Sequence, residues 1–261
     1  MRNCLAIFQR EIRSYFNSPV AYAILTGFLL IAGYFFYAII SSFIQYTYSA
    51  SIEAQYYQMA QPIFNINMMA LRPFYLNLTV VMIFAVPLIT MRLYAEEKKT
   101  GTIELLLTSP IKSMEIILGK YFAALILYVA LLLSTGIYYI ILFLYGNPEL
   151  GQILTSYLGL ILVGSSFIAV GIFISSLTEN QMVAGFVTII TLLLFWVIGW
   201  AADFAGPVFG SFLDYISIVN HFDEFAMGII DIKHIIYYFS FISFFLFLTL
   251  MFVESAKWRT R

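Results

Sequence analysis

Residues 153–177 read ILTSYLGLILVGSSFIAVGIFISSL, a run of 25 residues without a charged side chain. An α-helix needs about 20 predominantly apolar residues to cross the hydrocarbon core of a bilayer. The run is apolar on every face, whereas the strands of membrane barrels alternate apolar and polar residues over about 10 positions. It therefore predicts a transmembrane α-helix.

The rest of the chain has the same character. Of its 261 residues, 62% are hydrophobic and only 10% are charged, whereas a soluble domain carries about 25% charged residues. Six windows are long and apolar enough to span a membrane: 20–44, 74–93, 117–145, 153–177, 182–202 and 234–254. We predict an all-α integral membrane protein in which residues 1–261 form a single six-span transmembrane domain.

Lysine and arginine divide unevenly between the two ends of this predicted bundle. Eleven fall at the end that carries both termini, and two, Arg72 and Lys233, fall at the opposite end. Because cytoplasmic loops carry the excess of these residues, we predict that both termini are cytoplasmic and that residues 203–233 are external. The net charge of −1 and the lack of a basic stripe argue against a nucleic-acid partner.

The residues ahead of the first span have helical periodicity. Five apolar residues share one helix face, with arginine and glutamine beside it: Leu5, Phe8, Ile12, Tyr15 and Phe16. This pattern predicts an amphipathic helix in the cytoplasmic membrane interface, with its cations near anionic lipid heads. The alternative is a positively charged beginning of the first span.

Small residues recur in the fourth predicted span, and a polar turn follows it. The pairs Ser165/Ala169 and Gly171/Ser175 have the small-xxx-small spacing that lets helices approach closely in lipid, so we expect them inside the bundle. Thr178 and Gln181 have capping-box spacing for the start of span five.

The longest cytoplasmic connection contains RLYAEEKKTGTIELLLTSP at residues 92–110. Its charged first part is expected to stop at Gly101. A short apolar turn follows, with Thr102 as its N-cap and Glu104 near the positive end of the helix. Ser109 and Pro110 end that turn and begin the next helix, because proline is favoured at a first helical position.

The apolar turn, residues 103–107, is unusual beside so many charges. Its three leucines could lie in the lipid interface, or they could dock into a groove on a cytoplasmic partner, as short apolar helices do. The residues themselves leave both interpretations open.

The run EEKKTGTIELLLTSP, residues 96–110, resembles the signature loop of ABC-2 type permeases, the membrane subunits of one class of ABC exporters. In that family the loop includes the coupling helix, which transmits motion from the ATP-binding subunit. The resemblance assigns ATPase coupling to these residues: Glu96, Glu97, Gly101, Thr102, Ile103, Glu104, Leu105, Leu106, Leu107, Ser109 and Pro110.

Other stretches agree with this resemblance. FISSLTENQ, residues 173–181, is similar to the family's turn between spans four and five. NSPVAY (17–22) and HFDEFAMGIID (221–231) resemble the branch associated with gliding motility, which usually has arginine in place of Met227. The resemblance implies a type V exporter, in which two six-span chains, identical or related, pair with two cytoplasmic ATPases. ATP and Mg²⁺ are then bound by those partners, and this chain needs no cofactor of its own.

Catalysis within this chain is not predicted. It has no GxxxxGK[ST] loop, so it cannot hydrolyse ATP by that route. Its two histidines, His221 and His234, fall at the predicted external end, so no intramembrane enzyme is expected. We interpret His221, Asp223 and Glu224 as a solvated loop end in preference to a metal site, because loop ends of this kind are far more common. The single cysteine, Cys4, excludes an internal disulfide.

The sequence therefore predicts a permease in a bacterial or archaeal cytoplasmic membrane that exports a substrate of unknown identity. The spans hold almost no charge, which favours an amphipathic or lipid-linked substrate over a small ion. Two alternatives stay open, a secondary transporter and a structural assembly subunit without an ATPase. A secondary transporter usually places coupling carboxylates or broken helices near the middle of the membrane.

Overall fold

The structure is a computed structural model that describes residues 2–60, 64–103 and 111–259. Within those ranges the regular elements are helices. They are α1 (Arg2–Asn17), α2 (Pro19–Tyr56), a π-helical turn (Asn67–Leu71), α3 (Arg72–Thr90), α4 (Arg92–Lys99), α5 (Ser113–Ser134), α6 (Gly136–Tyr145), α7 (Leu150–Leu177), α8 (Gln181–Phe204), α9 (Gly206–Ile216), α10 (Ile218–Ala226) and α11 (Ile232–Arg259).

Six stretches of this helical chain are long and apolar enough to cross a membrane, and each contains one of the predicted windows. They are Pro19–Tyr56, Asn67–Lys99, Ser113–Tyr145, Leu150–Leu177, Gln181–Ala202 and Ile232–Ser255. The prediction of an all-α protein with six membrane-spanning helices is confirmed.

The first span continues well beyond the predicted end of its apolar window. Helix α2 runs to Tyr56, 12 residues past position 44, or about 18 Å at the rise of an α-helix. The intervening residues contain no glycine or proline. The helix ends just before Gln58, which adopts a left-handed φ of 53°. The segment after the first span therefore begins as a projecting helix, over residues 45–56.

The fourth span, α7, is the most buried of the six, and its small residues are the reason. A Cβ atom at Gly164 would overlap the ring of Tyr128 in α5, and one at Gly171 would overlap the side chain of Thr90 in α3. A Cβ at Gly159 would lie 2.6 Å from that of Phe225 in α10. The predicted placement of the small-residue pairs inside the bundle is confirmed, because all four of those residues are buried.

The prediction for the start of span five is wrong about the capping residue. Asn180 is the N-cap of α8, and its Oδ1 accepts hydrogen bonds from the backbone N–H groups of Met182 (2.9 Å) and Val183 (3.4 Å). Thr178 lies two residues earlier, where its Oγ1 accepts a hydrogen bond from the Asn180 backbone N–H at 3.2 Å. Asparagine caps helices as well as serine does, and it directly precedes the first helical residue.

Candidate coupling site

Helices α1, α4 and α5 meet at the end of the bundle that carries both termini. Helix α1 lies against α5 so closely that a Cβ at Gly119 would be 2.9 Å from Ile7 Cγ2 and 3.0 Å from the Cys4 carbonyl oxygen. Tyr15 is buried and donates a hydrogen bond to the Ile89 carbonyl oxygen at 3.0 Å. The helix is therefore fixed to spans two and three and does not merely lie beside them.

The predicted apolar face of α1 divides into two parts. Tyr15 faces the bundle together with Ile7, which is not among the five residues predicted for this face. Leu5 and Phe16 are 58% and 46% exposed, and Phe8 and Ile12 lie between the two parts, half-buried against the core. The contact of Leu5, Phe8, Ile12 and Phe16 with lipid stays a prediction.

The second span is interrupted at Met91, where α3 ends and α4 begins. Ser175 of α7 fills the interruption. Its Oγ accepts from the backbone N–H groups of Tyr94 (3.1 Å) and Ala95 (3.2 Å) and donates to the Met91 carbonyl oxygen (2.9 Å). One buried hydroxyl thus satisfies backbone groups that the break would leave unpaired. Helix α4 is held to the core of the bundle by its first turn.

The charged part of the connection ends where the sequence predicted. Helix α4 stops at Lys99, and Gly101 follows in the left-handed region with φ 71°, a conformation that glycine adopts without the steric cost of a Cβ. The Thr100 N–H donates to the Glu96 carbonyl oxygen at 3.0 Å and closes the last turn.

An ion-pair cluster joins α1, α4 and α5, and we call it the Lys120 cluster. Lys120 is only 1% exposed, and its Nζ lies 3.1 Å from Glu11 Oε1, 2.9 Å from Glu97 Oε1 and 2.7 Å from the Leu93 carbonyl oxygen. Arg10 contacts both carboxylates from the rim. Two cations therefore face two anions, which is the pairing that buried charges need.

The electrostatics of Glu11 reflect this arrangement. Burial acts to raise the pKa of the Glu11 carboxyl, but the Lys120 ammonium and the Arg10 guanidinium outweigh it and lower that pKa from its ordinary value. Glu11 is therefore charged at neutral pH.

Further contacts of α4 extend this site. Lys98 Nζ donates to the Ser176 carbonyl oxygen at 2.5 Å and lies 5.0 Å from the ring centre of Phe252 in α11. Arg92 lies over the Tyr15 ring at 4.3 Å. Helix α4 thus contacts the N-terminal helix, span three, span four and span six.

The residues that the resemblance assigned to ATPase coupling are placed differently from one another. Glu96, Gly101 and Thr102 are exposed, whereas Glu97 belongs to the Lys120 cluster and Ile103 is half-buried against the core. The remaining six lie outside the described residues: Glu104, Leu105, Leu106, Leu107, Ser109 and Pro110.

The role of Lys120 was not predicted from the sequence, where this residue was counted only among the eleven cations at the end that carries both termini. The signal was available, because Lys120 lies inside the apolar window 117–145 and an ionisable residue at such a position usually has a partner. The sequence could not identify those partners, because they are distant from Lys120 in the chain. Lys120 and Glu11 are 109 residues apart.

The opposite end of the bundle holds a second polar group, around His221 and His234. The expectation of a solvated loop end is wrong for His221, which is buried and stacks on Tyr237 with ring centres 3.8 Å apart. Asp223 pairs with Arg72, accepting two hydrogen bonds of 2.9 and 2.7 Å. Donor atoms of Glu224, Asp231 and His234, by contrast, lie within 4.8 Å of one another, which is compatible with a metal ion.

Comparison with known proteins gives a family and two relatives. A family model described as ABC-2 family transporter protein matches residues 5–256. Two proteins named probable multidrug ABC transporter permease YbhR, from Escherichia coli strain K12 and from E. coli O157:H7, are each 29% identical over 147 residues. That alignment covers 55% of this chain and 39% of each relative, so the chain matches well under half of their length.

Proposed function

The chain belongs to the ABC-2 family of transporter proteins, and from that membership we propose that it is the permease subunit of an ATP-driven exporter. A separate cytoplasmic ATP-binding-cassette ATPase binds ATP and Mg²⁺ and hydrolyses the nucleotide. The permease chain performs no hydrolysis and changes conformation in response. The exported substrate is unidentified, and we place it in the amphipathic or lipid-linked class.

The observation that carries this proposal is the attachment of the signature loop to the bundle. The loop continues α4, and α4 is held to α1, α5 and α7 by the Lys120 cluster and by Ser175. A partner that binds the loop and prefers one position of α4 must also shift the population of bundle conformations, because a ligand biases the state that it binds better. Glu96 is exposed on the same helix and contributes to the rim of that contact.

Orientation follows the distribution of cations. We place both termini and α4 in the cytoplasm of a bacterial or archaeal cell, with the protein in its cytoplasmic membrane. Only two cations, Arg72 and Lys233, lie at the opposite end, against eleven at the end with the termini, and this asymmetry in lysine and arginine is the positive-inside signal.

The exposed surface of the first span supports both an amphipathic or lipid-linked substrate and pairing with a second permease chain. Only a small part of α2 is buried, which leaves it free to face lipid or a second permease chain, identical or related. An apolar groove of about 630 Å³ lies between α2 and α3 and is lined by residues that include Phe28, Phe35 and Phe84. Such a surface suits an acyl chain better than a hydrated ion.

The two stretches that resemble the gliding-motility branch support a place in that branch of the family. Met227 departs from the usual pattern of that branch, which has arginine at this position. Neighbouring genes that encode an ATPase and gliding components would support membership of that branch. Their absence would refute it.

The ATPase contact is testable in the apolar turn after Thr102. We expect Leu105→Asp, Leu106→Asp and Leu107→Asp to lose the ATPase, because burying one leucine in a partner groove contributes roughly 1.5–3 kcal/mol, about tenfold or more in affinity. The measurement is retention of a co-expressed ATPase, encoded beside this chain, in a detergent pull-down.

Ile230→Asp is the matched control, because it places the same charge on an exposed apolar residue at the opposite end of the bundle. It should retain the ATPase. Wild-type retention in all three leucine variants would refute the coupling contact and favour the lipid-interface alternative.

A further inference from the structure

The polar group at the opposite end of the bundle joins α10 to the start of α11. We call Glu224, Asp231, Lys233 and His234 the His234 cluster. Lys233 Nζ lies 3.1 Å from both Glu224 Oε1 and Asp231 Oδ2, and His234 Nε2 lies 2.8 Å from Glu224 Oε2. Two carboxylates therefore converge on one buried imidazole.

The hydrogen bonds of His221 determine which nitrogen of His234 carries a proton. His221 Nε2 lies 3.0 Å from the Tyr215 carbonyl oxygen. Because a carbonyl only accepts, this Nε2 must be protonated. The other nitrogen of His221, Nδ1, lies 2.6 Å from His234 Nδ1. In neutral His221 it is the acceptor, so His234 must donate from its own Nδ1.

His221 is the neutral partner in this pair. Its ring is buried and stacks on Tyr237, and its two nitrogens are engaged by the Tyr215 carbonyl oxygen and by His234, whereas the Glu224 carboxylate lies against His234. The pair cannot carry a proton on both Nδ1 atoms at 2.6 Å. His234 therefore presents Nδ1–H to His221 and turns Nε2 towards the carboxylates, where the nitrogen needs a cation, either a proton or a metal ion.

Without such a cation, the electron pair on Nε2 would be in a costly position. His234 is only 5% exposed, and its Nε2 is fully buried without a hydrogen-bond partner among the described residues. A bare nitrogen 2.8 Å from a carboxylate oxygen sets two electron pairs against each other. A cation between them removes the conflict, because buried polar atoms need a partner.

We propose that Glu224, Asp231 and His234 bind a divalent transition-metal ion of the zinc type. One imidazole nitrogen and two carboxylate oxygens, with water or a second carboxylate oxygen as a further ligand, form a donor set that suits such an ion. Zinc ligands lie about 2.0–2.2 Å from the metal. The donor atoms of these three residues lie within 4.8 Å of one another, so only small side-chain movements are needed to bring them to those distances.

Lys233 and His221 have defined roles in this site. The Lys233 side chain is 59% exposed, so its ammonium can rotate into solvent and give up both carboxylates to the metal. His221 holds the imidazole of His234 in the tautomer that ligates through Nε2, as outer-shell partners of metal-binding histidines commonly do. The metal would join α10 to α11, and its binding does not depend on the exporter function proposed above.

The test is zinc binding to the purified full-length chain in detergent, isolated through a tag without histidine and followed by isothermal titration calorimetry. We expect one Zn²⁺ per chain. His234→Ala should weaken binding by more than the roughly 10–100-fold that loss of an outer-shell partner costs, and His221→Phe should weaken it within that range. Asp214→Asn is the control, because this neighbouring acid bonds to Asn220 and should leave the affinity unchanged.

Lys233→Met separates metal binding from misfolding. The substitution removes the cation that competes for both carboxylates and should tighten zinc binding by roughly tenfold, a gain that a misfolded chain cannot show. Absence of saturable zinc binding to the wild-type chain would overturn the proposal and leave a proton as the cation on His234 Nε2. Binding that persists unchanged in His234→Ala would overturn it as well.

Discussion

The two ends of the bundle each place a lysine between two carboxylates, but they do so in opposite surroundings. At the end with the termini, Lys120 is 1% exposed, and its partners come from α1 and α4, far away in the chain. At the other end, Lys233 is 59% exposed, and its partners, Glu224 and Asp231, lie within ten residues of it.

This difference in burial determines what each cluster can do. Removing one partner of a buried ion pair leaves an uncompensated charge in the protein, whereas an exposed pair is replaced by water at little cost. The Lys120 cluster is therefore a permanent connection between helices, suited to transmit a displacement of α4. The His234 cluster can exchange its ammonium for another cation.

The largest effect is expected from Lys120→Met, which leaves Glu11 and Glu97 without their buried cation. We expect the free energy of unfolding to fall by about 3–5 kcal/mol, measured by tryptophan fluorescence during denaturation in detergent. Lys99→Met is the control, because Lys99 is exposed one turn after Glu96 in the same helix. Equal stability of the two variants would show that the Lys120 cluster is not a buried connection.

A second variant tests whether the loss of stability comes from the unpaired carboxylates or from the changed shape of the side chain at position 120. The triple variant Lys120→Met, Glu11→Gln and Glu97→Gln removes the stranded charges along with the lysine, so it should recover most of the lost stability. We call it the neutral triple.

A smaller effect is expected from Ser175→Ala. Without the hydroxyl, the backbone N–H groups of Tyr94 and Ala95 stay buried without an acceptor, which costs about 1–3 kcal/mol. Ser42→Ala is the comparison, because Ser42 is exposed and donates only to a carbonyl of its own helix. If both alanine variants unfold at the same denaturant concentration, Ser175 does not hold α4 to the bundle.

The sequence predicted the six spans because their evidence is local. Each span is a run of apolar residues of sufficient length, and a helix satisfies its own backbone wherever its neighbours lie. The stop at Gly101 is local in the same sense, because it depends on one left-handed residue. The N-cap of α8 was misplaced by two residues, where Thr178 and Asn180 compete with similar preferences.

The two polar clusters were harder to predict because they depend on packing. No spacing rule connects Glu11 with Lys120. The burial of His221 depends on α10, whose residues Ile218, Phe222 and Phe225 are fully buried. Their spacing of four and three residues is that of an amphipathic helix and could have revealed that the predicted loop folds back onto the bundle.

The smallest effect is expected on the pH dependence of stability at the His234 cluster. The pKa of His221 lies below its ordinary value of 6.5, so the unfolded chain binds this proton more readily than the folded one. The stabilising contribution is therefore complete above pH 6.5 and is lost as the pH falls below that value. Glu224 and Asp231 have pKa values lowered from 4.5 and 3.8, so they titrate in a more acidic range.

His221→Phe keeps an aromatic ring beside Tyr237 and removes the titrating group. Its melting temperature should fall less than that of the wild-type chain between pH 7 and pH 5.5. If the melting temperatures of the two proteins fall by the same amount over that pH range, a neutral His221 is not buried in the folded chain.

The measurement that tests the coupling site most directly is one pull-down of the co-expressed ATPase on three chains, the wild type, Leu106→Asp and the neutral triple. We predict that Leu106→Asp loses the ATPase, because the substitution places a charge in the contact with the partner. The neutral triple should retain it, because its three substitutions lie in α1, α4 and α5 and leave the apolar turn unchanged. Retention of the ATPase by Leu106→Asp at the wild-type level would contradict the assignment of residues 103–107 to the ATPase contact.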